Sequence, residues 1–418
     1  MLRFPVLFVV PLLCSLWLIT PGVGAANSVD LTYLTWMPAG RMELVERSIE
    51  NFRMQHPNVN VEIIFVESSN VAGEALLTMM AGGVVPDIAH VWHTDAPAFF
   101  RQGMAMDLTP FIERDNFDTS ILPPNFESMT YEGRWYGLPR DGGAFSDRAI
   151  YYNRDHFSEG GIAFPNSDWT WESFREIAQR LTRDRDGDGT PEQWGFRGNS
   201  VFGQDWPIYL WSGGGEIFDE TRENFVMNSP EAADALQWWA DLKLVHGIDG
   251  WNQANFNRGN VAIESGAYMR ANNLNNVVQP EFDWSIVGFP HGRAGSVNLR
   301  STHPLIIPAG AKHPEEAWEF IKFTLSDENQ YNQVIAWRGF PPQTIDVARH
   351  PELLNLSRPP YSYAPFAATV GRTFPVSVPK WPQIQQIIVQ GLRYVWDGNT
   401  SARLAMDAIE PQIEALLQ

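Results

Sequence analysis

Over the first hundred positions of the chain, the spacing of apolar residues changes in turn between that of a strand and that of a helix. Val29–Trp36 is a β-branched and aromatic run, and Val59–Glu67 alternates apolar with polar residues, so both segments predict strands. The segment 41–56 between them repeats its apolar residues at helical spacing. Residues 72–82 predict a second helix and residues 87–92 a third, buried strand. This rhythm predicts an α/β protein whose parallel strands are flanked by helices.

The pattern changes further along the chain. Residues 131–139 are rich in turn formers, and residues 149–153 are again strand-like, so we expect the chain to cross between two lobes here. Helices are predicted in five later segments: Trp171–Thr182, Pro230–Val245, His313–Leu325, Trp381–Tyr394 and Ser401–Leu417.

The first segment predicts export. Arg3 is followed by an apolar run to Ile19 and by small residues, which is typical of a secretory signal peptide cleaved after Ala25 or Ala26. A retained membrane anchor is the alternative, although prolines interrupt the run. Cys14 follows a leucine rather than the small residue of a lipoprotein site. We therefore expect a free periplasmic protein without a lipid anchor.

Composition narrows the choice of ligand. The chain has 30 Lys and Arg against 49 Asp and Glu, a formal net charge of -19, and no run of basic residues. Because nucleic-acid binding needs clustered cations, we expect no nucleic-acid partner and a neutral or cationic ligand. The sequence also has no phosphate-binding loop, dinucleotide fingerprint, zinc-protease motif or serine-nucleophile motif. The enzyme classes that carry those motifs are therefore not supported.

Seventeen Trp residues indicate carbohydrate as the ligand class. Indole faces stack on the C–H faces of sugar rings, and carboxylates bind sugar hydroxyls. Since ligands of α/β proteins sit at the carboxyl ends of strands, the residues there are candidates, and so are Trp residues in polar surroundings. For each Trp the alternative is core packing. The candidates are Trp36, Glu67, Trp92, His93, Asp95, Trp206, Trp211 and Trp251.

A short acidic segment carries a second kind of signal. Asp184, Asp186 and Asp188 alternate with other residues before Gly189, as in the first half of a calcium-binding loop. The position where a bidentate Glu would close the coordination shell is Gly195. Two interpretations stay open: a calcium site and an Asp/Gly-rich turn without a metal.

Eight segments, taken together and in order, resemble the extracellular sugar-binding proteins of ATP-binding cassette importers, the family that includes maltose-binding protein. The resemblance covers nearly the whole chain after the signal. The segments are PDI at 86–88, GMAMDL at 103–108, WYGLP at 135–139, YYNRDHF at 151–157, WTWESF at 169–174, WGF at 194–196, FNRGNVAI at 256–263 and HPEEAWEF at 313–320.

This resemblance implies a two-lobed periplasmic-binding-protein fold, each lobe a mostly parallel sheet flanked by helices and hinged by crossing strands. After a signal peptide at 1–26, it implies an amino-terminal lobe of 27–140 plus 302–345 and a carboxyl-terminal lobe of 141–301 plus 346–418. Similar proteins carry the Asp/Gly loop without needing a metal, which weakens the calcium interpretation. By position, the resemblance adds Tyr268 and Arg300 as ligand-binding candidates. Asp141, just past the expected crossing, and Arg338 are further candidates.

The resulting hypothesis is a monomeric binding protein that captures a mono- or oligosaccharide between its lobes and delivers it to a membrane permease. It performs no chemistry and needs no cofactor. One alternative is an exported glycoside hydrolase, which would need two carboxylates across the cleft. Another is a binding protein for a polyol, a glycerophosphodiester or a cationic solute.

Overall fold

The structure is a computed structural model that describes residues 28–37, 41–122, 127–198, 205–338, 340–368 and 370–418. The predicted signal peptide at 1–26 lies outside the described residues. The strands are β1 (Val29–Trp36), β2 (Val59–Val66), β3 (Ile88–His90), β4 (Thr130–Tyr131), β5 (Arg134–Trp135), β6 (Gly137–Gly142), β7 (Arg148–Asn153), β8 (Trp194–Arg197), β9 (Val261–Ala267), β10 (Trp284–Val287), β11 (Val297–Leu299), β12 (Thr302–Ile306) and β13 (Val370–Arg372).

Sixteen α-helices connect these strands within the described residues. They are α1 (Met42–Gln55), α2 (Ser69–Ala81), α3 (Ala96–Arg101), α4 (Thr109–Asp115), α5 (Arg154–Glu159), α6 (Trp171–Leu181), α7 (Trp206–Ser212), α8 (Pro230–Leu244), α9 (Tyr268–Asn273), α10 (Pro314–Thr324), α11 (Asp327–Gln330), α12 (Ile345–Ala348), α13 (Pro351–Leu354), α14 (Ala364–Ala368), α15 (Trp381–Trp396) and α16 (Ala402–Leu417).

The first lobe is built on a five-stranded sheet in the order β2-β1-β3-β12-β6. The predicted strands at its centre are confirmed: β1 pairs in parallel with β2 and with β3. The later strand β12 joins antiparallel to β3 and β6. Helices α1 and α10 cover one face, where Phe52 packs against Phe320 with ring centroids 5.1 Å apart.

The second lobe is built on a four-stranded sheet in the order β10-β7-β9-β8. Here the expectation of a mostly parallel sheet is wrong. Only β8 and β9 run parallel, whereas β7 is antiparallel to both β9 and β10. The difference arises because β7 follows the chain crossing directly and is not preceded by a helix of its own lobe, so its direction is not set by a β-α-β unit.

The later helices form where the sequence predicts them, and local capping explains their ends. Thr170 and Ser173 form a reciprocal capping box at the start of α6. The Ser229 hydroxyl accepts the Ala232 amide at the start of α8, and Glu315 lies in the first turn of α10. In the described part of the chain, no helix is both long and apolar enough to cross a membrane.

Two segments pass between the sheets side by side. Residues 143–147 join β6 to β7, and residues 300–301 join β11 to β12. The Asp147 amide donates to the Leu299 carbonyl at 2.7 Å, which ties the two crossings together. Farther on, Ile335 packs in the core of the second lobe whereas Phe340 packs in that of the first. The lobe boundaries at 140, 302 and 345 stay a prediction.

Candidate functional site

A cluster of aromatic rings lies at the carboxyl ends of β1 and β3 in the first lobe. The Trp36 and Trp92 rings meet at an angle of 60° with centroids 5.3 Å apart. Trp36 stacks on His90 at 5.0 Å, and Trp92 stacks on His303 at 4.0 Å with an interplanar angle of 17°. The structure thus brings the predicted Trp36 and Trp92 together, and it adds two histidines that the sequence did not single out.

His93 and His303 form a buried pair. The His93 amide donates to His303 Nδ1 at 3.3 Å. The two Nδ1 atoms lie 3.2 Å apart, and the tautomers of the two rings decide which one donates. Burial lowers the pKa of His303 to about 3 and also lowers that of His93, so both rings are neutral.

The same cluster contains polar atoms without a partner. His93 Nε2 is buried and has no hydrogen-bond partner within the described residues. The Trp36 indole N–H is buried and equally without an acceptor there. Buried polar groups are normally paired, so such atoms call for an explanation. Two polar atoms of the cluster are thus available to a further hydrogen-bonding partner.

The second lobe faces this cluster through Phe374. Its ring lies nearly parallel to that of His93, with centroids 6.4 Å apart, and it also neighbours Trp206 at 5.8 Å and Trp211 at 6.3 Å. The expectation that Trp206 and Trp211 stand in polar loops is wrong. Both belong to α7 and are buried, because α7 is apolar on all sides and packs within the core of the second lobe.

The two predicted carboxylates of the rim differ in environment. Glu67 follows β2 and is exposed. Asp95 precedes α3 and accepts the Thr94 hydroxyl at 3.3 Å, and burial raises the pKa of its carboxyl. A Cβ atom at Gly73 would lie 3.2 Å from this carboxylate, so glycine lets α2 approach it closely.

The crossing segments hold charged groups in half-buried positions. Arg300 packs on Gly371, where a Cβ atom would lie 2.6 Å from its Nε, and burial lowers the pKa of its guanidinium. Asp147, which sequence reasoning missed, accepts the Ser301 amide at 3.0 Å and its hydroxyl at 2.6 Å. Burial nevertheless raises the pKa of Asp147 to about 7.

Three other candidates, Tyr268, Arg338 and Trp251, lie outside the Trp36–Trp92 cluster. Tyr268 packs against Tyr363 at 4.9 Å in the second lobe. The Arg338 carbonyl oxygen accepts a hydrogen bond from the side-chain amide of Asn272, which lies in α9 with Tyr268. Trp251 is not brought to the others, and its ring faces Trp396 instead. Asp141 of β6 lies opposite His303 of β12 in the sheet. The side chain of Asp141 lies outside the described part of the structure.

The Asp/Gly loop follows α6 on the surface of the second lobe. Asp184, Asp186 and Asp188 are exposed, and each offers a carboxylate oxygen within 4.8 Å of the others. Asp184 also accepts the amides of Gly187 at 2.7 Å and Gly189 at 2.9 Å, so the loop uses part of its own acceptor capacity. Calcium binding stays a prediction.

Polar contacts join the two lobes beside the aromatic cluster. Glu127 of the first lobe accepts two hydrogen bonds from Arg222 of the second, at 3.0 and 2.5 Å. The Ser377 hydroxyl donates to the same carboxylate at 3.0 Å, and Arg101 donates to the Ser377 carbonyl at 3.3 Å. We call Glu127, Arg222, Ser377 and Arg101 the inter-lobe contact.

Aromatic and polar groups thus lie on facing edges of the two lobes. In the sequence comparison, residues 37–331 match the model of the bacterial extracellular solute-binding proteins. The chain belongs to this family.

Individual relatives are distant but cover most of the chain. A maltotriose-binding protein from Pyrococcus abyssi is 22% identical, over 91% of this chain and 79% of its own. An ABC substrate-binding protein from Listeria monocytogenes, solved in complex with cycloalternan, has a TM-score of 0.79 at 22% identity, covering 93% of this chain and 99% of its own. A Mycobacterium tuberculosis protein solved with glycerophosphocholine has a TM-score of 0.77 at 17% identity, covering 94% and 98%. At this level of identity the solved structures establish the shared fold.

Proposed function

We propose that the protein is the substrate-binding component of an ABC importer and that it captures a carbohydrate between its lobes. The observation that carries the proposal is the Trp36–Trp92 pair with two buried, unpartnered polar atoms, His93 Nε2 and the Trp36 indole N–H. Ring faces beside single hydrogen-bonding atoms suit a sugar, which has C–H faces edged with hydroxyls. The maltotriose-binding and cycloalternan-bound relatives support the same ligand class.

In this role the protein is exported to the periplasm as a monomer and hands its ligand, chemically unchanged, to a membrane permease. Ligand-binding residues come from both lobes, 27–140 plus 302–345 and 141–301 plus 346–418, and closure of the lobes retains the ligand. No nucleic acid and no cofactor take part.

Thermal unfolding with a ligand panel tests the proposal. The panel contains monosaccharides, oligosaccharides, polyols and glycerophosphodiesters, and each positive is repeated by isothermal titration calorimetry. A ligand at about a hundredfold excess over its Kd adds about 2.7 kcal/mol to the free energy of unfolding. We expect this stabilisation with one group of carbohydrates, which are recovered intact afterwards. Stabilisation by glycerophosphodiesters alone would overturn the choice of ligand class, and shortened oligosaccharides would indicate a hydrolase.

A further inference from the structure

His303 lies directly across the sheet from Trp92. In the antiparallel pair of β3 and β12, the Val91 amide donates to the Pro304 carbonyl at 3.0 Å, so these two residues form a hydrogen-bonded pair. The next pair in the same register is Trp92 with His303, which is a non-hydrogen-bonded pair. Facing side chains are closest at such positions. The two rings accordingly stack, with centroids 4.0 Å apart and an interplanar angle of 17°.

The same histidine also holds the backbone that follows Trp92. By register, the amide of His93 would bond to the Thr302 carbonyl, but that oxygen accepts the Ser128 hydroxyl at 2.7 Å. The His93 amide donates to Nδ1 of the His303 ring at 3.3 Å. One side chain therefore fixes Trp92 in two ways, because its ring supports the indole face and its nitrogen replaces the last hydrogen bond of the ladder.

His303 can influence a ligand chiefly through the indole that it supports. It is 8% exposed, whereas Trp92 is half-buried, so Trp92 is the member of the stacked pair that a ligand can reach. Of the rings described around Trp92, that of His303 is the nearest and the most nearly parallel. Trp36 meets the same indole at an angle of 60° and so does not support its face. Without His303, the indole would lose its main support.

We propose that His303 is a positioning residue of the carbohydrate site, which holds the Trp92 indole and the adjoining His93 backbone in the orientation that a sugar ring needs, without touching the ligand. A sugar stacks on an indole only when the two planes align, and an indole that is already held in place loses less freedom on binding. The inference rests on the proposed function and deepens it, because it assigns part of the ligand affinity to a side chain behind the stacking surface.

Three substitutions separate the two contacts of His303. His303→Phe keeps an aromatic ring but has no acceptor, His303→Asn keeps an acceptor but has no ring, and His303→Ala has neither. His156→Ala is the matched control, because His156 is a half-buried histidine in α5 of the second lobe. Calorimetry gives the Kd of each protein for glucose, galactose, maltose, maltotriose and cellobiose, and urea titration verifies that each variant is folded.

We expect His303→Ala to raise the Kd of the bound sugar about tenfold, because both the stacked ring and the acceptor are lost. His303→Asn should raise it about fivefold and His303→Phe about twofold, since the ring is the larger of the two supports. His156→Ala should match wild type. The effect must also pass through Trp92, so in a Trp92→Ala background His303→Ala should raise Kd by less than about twofold.

Near-UV circular dichroism adds a measurement without ligand, since aromatic side chains held in fixed tertiary packing give bands in this region. His303→Ala should change the near-UV spectrum of the wild type. The same substitution should leave the spectrum of Trp92→Ala nearly unchanged, because the indole that it releases is absent there.

Wild-type affinity in a folded His303→Ala protein would overturn the positioning role, and so would an equal loss of affinity with and without Trp92. If His303→Ala does not fold, the two other variants decide, and tighter binding by His303→Asn than by His303→Phe would contradict the role of the ring. A wild type that binds none of the five sugars would count against the proposed function itself, and the positioning role would fall with it.

Discussion

The ion pair between Glu127 and Arg222 should contribute to ligand affinity although it touches no ligand. It joins the first lobe to the second by two parallel hydrogen bonds of 3.0 and 2.5 Å. A pair that forms only when the lobes approach stabilises the closed form, and a ligand held between the lobes binds that form. Removing either side chain should therefore weaken binding through the lobe equilibrium.

The size of the effect follows from exposure. The Arg222 side chain is 43% exposed and that of Glu127 is 28% exposed, so solvent screens much of their attraction. Exposed pairs contribute about 0.2–1 kcal/mol, and bidentate geometry favours the upper part of that range. A change of about 0.5–1 kcal/mol corresponds to a two- to fivefold change in Kd.

A double-mutant cycle measures this coupling. Calorimetry gives the carbohydrate Kd of wild type, Glu127→Ala, Arg222→Ala and the double variant, each at low and at high salt. We expect each single change to raise Kd about two- to fivefold, the double change to do no more than either, and salt to reduce the difference. A charge swap, Glu127→Arg with Arg222→Glu, should restore part of the affinity. Strictly additive single effects, or no effect at all, would refute the reasoning.

Three further predictions concern the site, the hinge and the acidic loop. Trp92→Ala should raise the carbohydrate Kd at least about tenfold and Trp251→Ala less than about twofold, measured by calorimetry, because only Trp92 lies in the aromatic cluster. Burial raises the pKa of Asp147 to about 7, above its unfolded value, so the folded state holds this proton more tightly than the unfolded state does. The free energy of unfolding should therefore fall as pH rises from about 4 to about 7. Asp147→Asn should flatten that fall in urea titrations. For the acidic loop we expect a chelator to leave the unfolding temperature unchanged. Asp184→Ala should lower the free energy of unfolding by about 1 kcal/mol, because two hydrogen bonds of the turn are lost. If calcium stabilised the wild type but not this variant, the loop would be a metal site instead.

Local patterns predict the elements of this protein well because each element has a strong periodic signal. The strand over Val29–Trp36 and the helix that follows it form where the sequence indicates. The direction of the strands in the second lobe could not be predicted in the same way. That direction depends on how the chain enters the lobe through residues 143–147, and no local periodicity records the route of a crossing.

The candidate site is likewise predictable only in part. Trp36 and Trp92 end predicted strands, so the rule that ligands lie at strand ends identifies them from sequence. His303 and Phe374 reach the cluster from segments more than two hundred residues farther along the chain. Arg300, a candidate from the family resemblance, lies three residues before His303, but it does not identify that histidine. Phe374 lies among prolines, and nothing in its surroundings distinguishes it from a loop residue.

The contacts between the lobes also explain why a ligand can control their closure. Beside the crossings, the described contacts between the lobes include the partly exposed Glu127–Arg222 ion pair, the Ser377 bonds to Glu127 and Arg101, and the His93–Phe374 edge. Such contacts contribute on the order of 1 kcal/mol each. A ligand at 1 µM Kd supplies about 8 kcal/mol, several times more than any one of them. The lobes can therefore separate without ligand and still close firmly around it, provided that the ligand touches both edges.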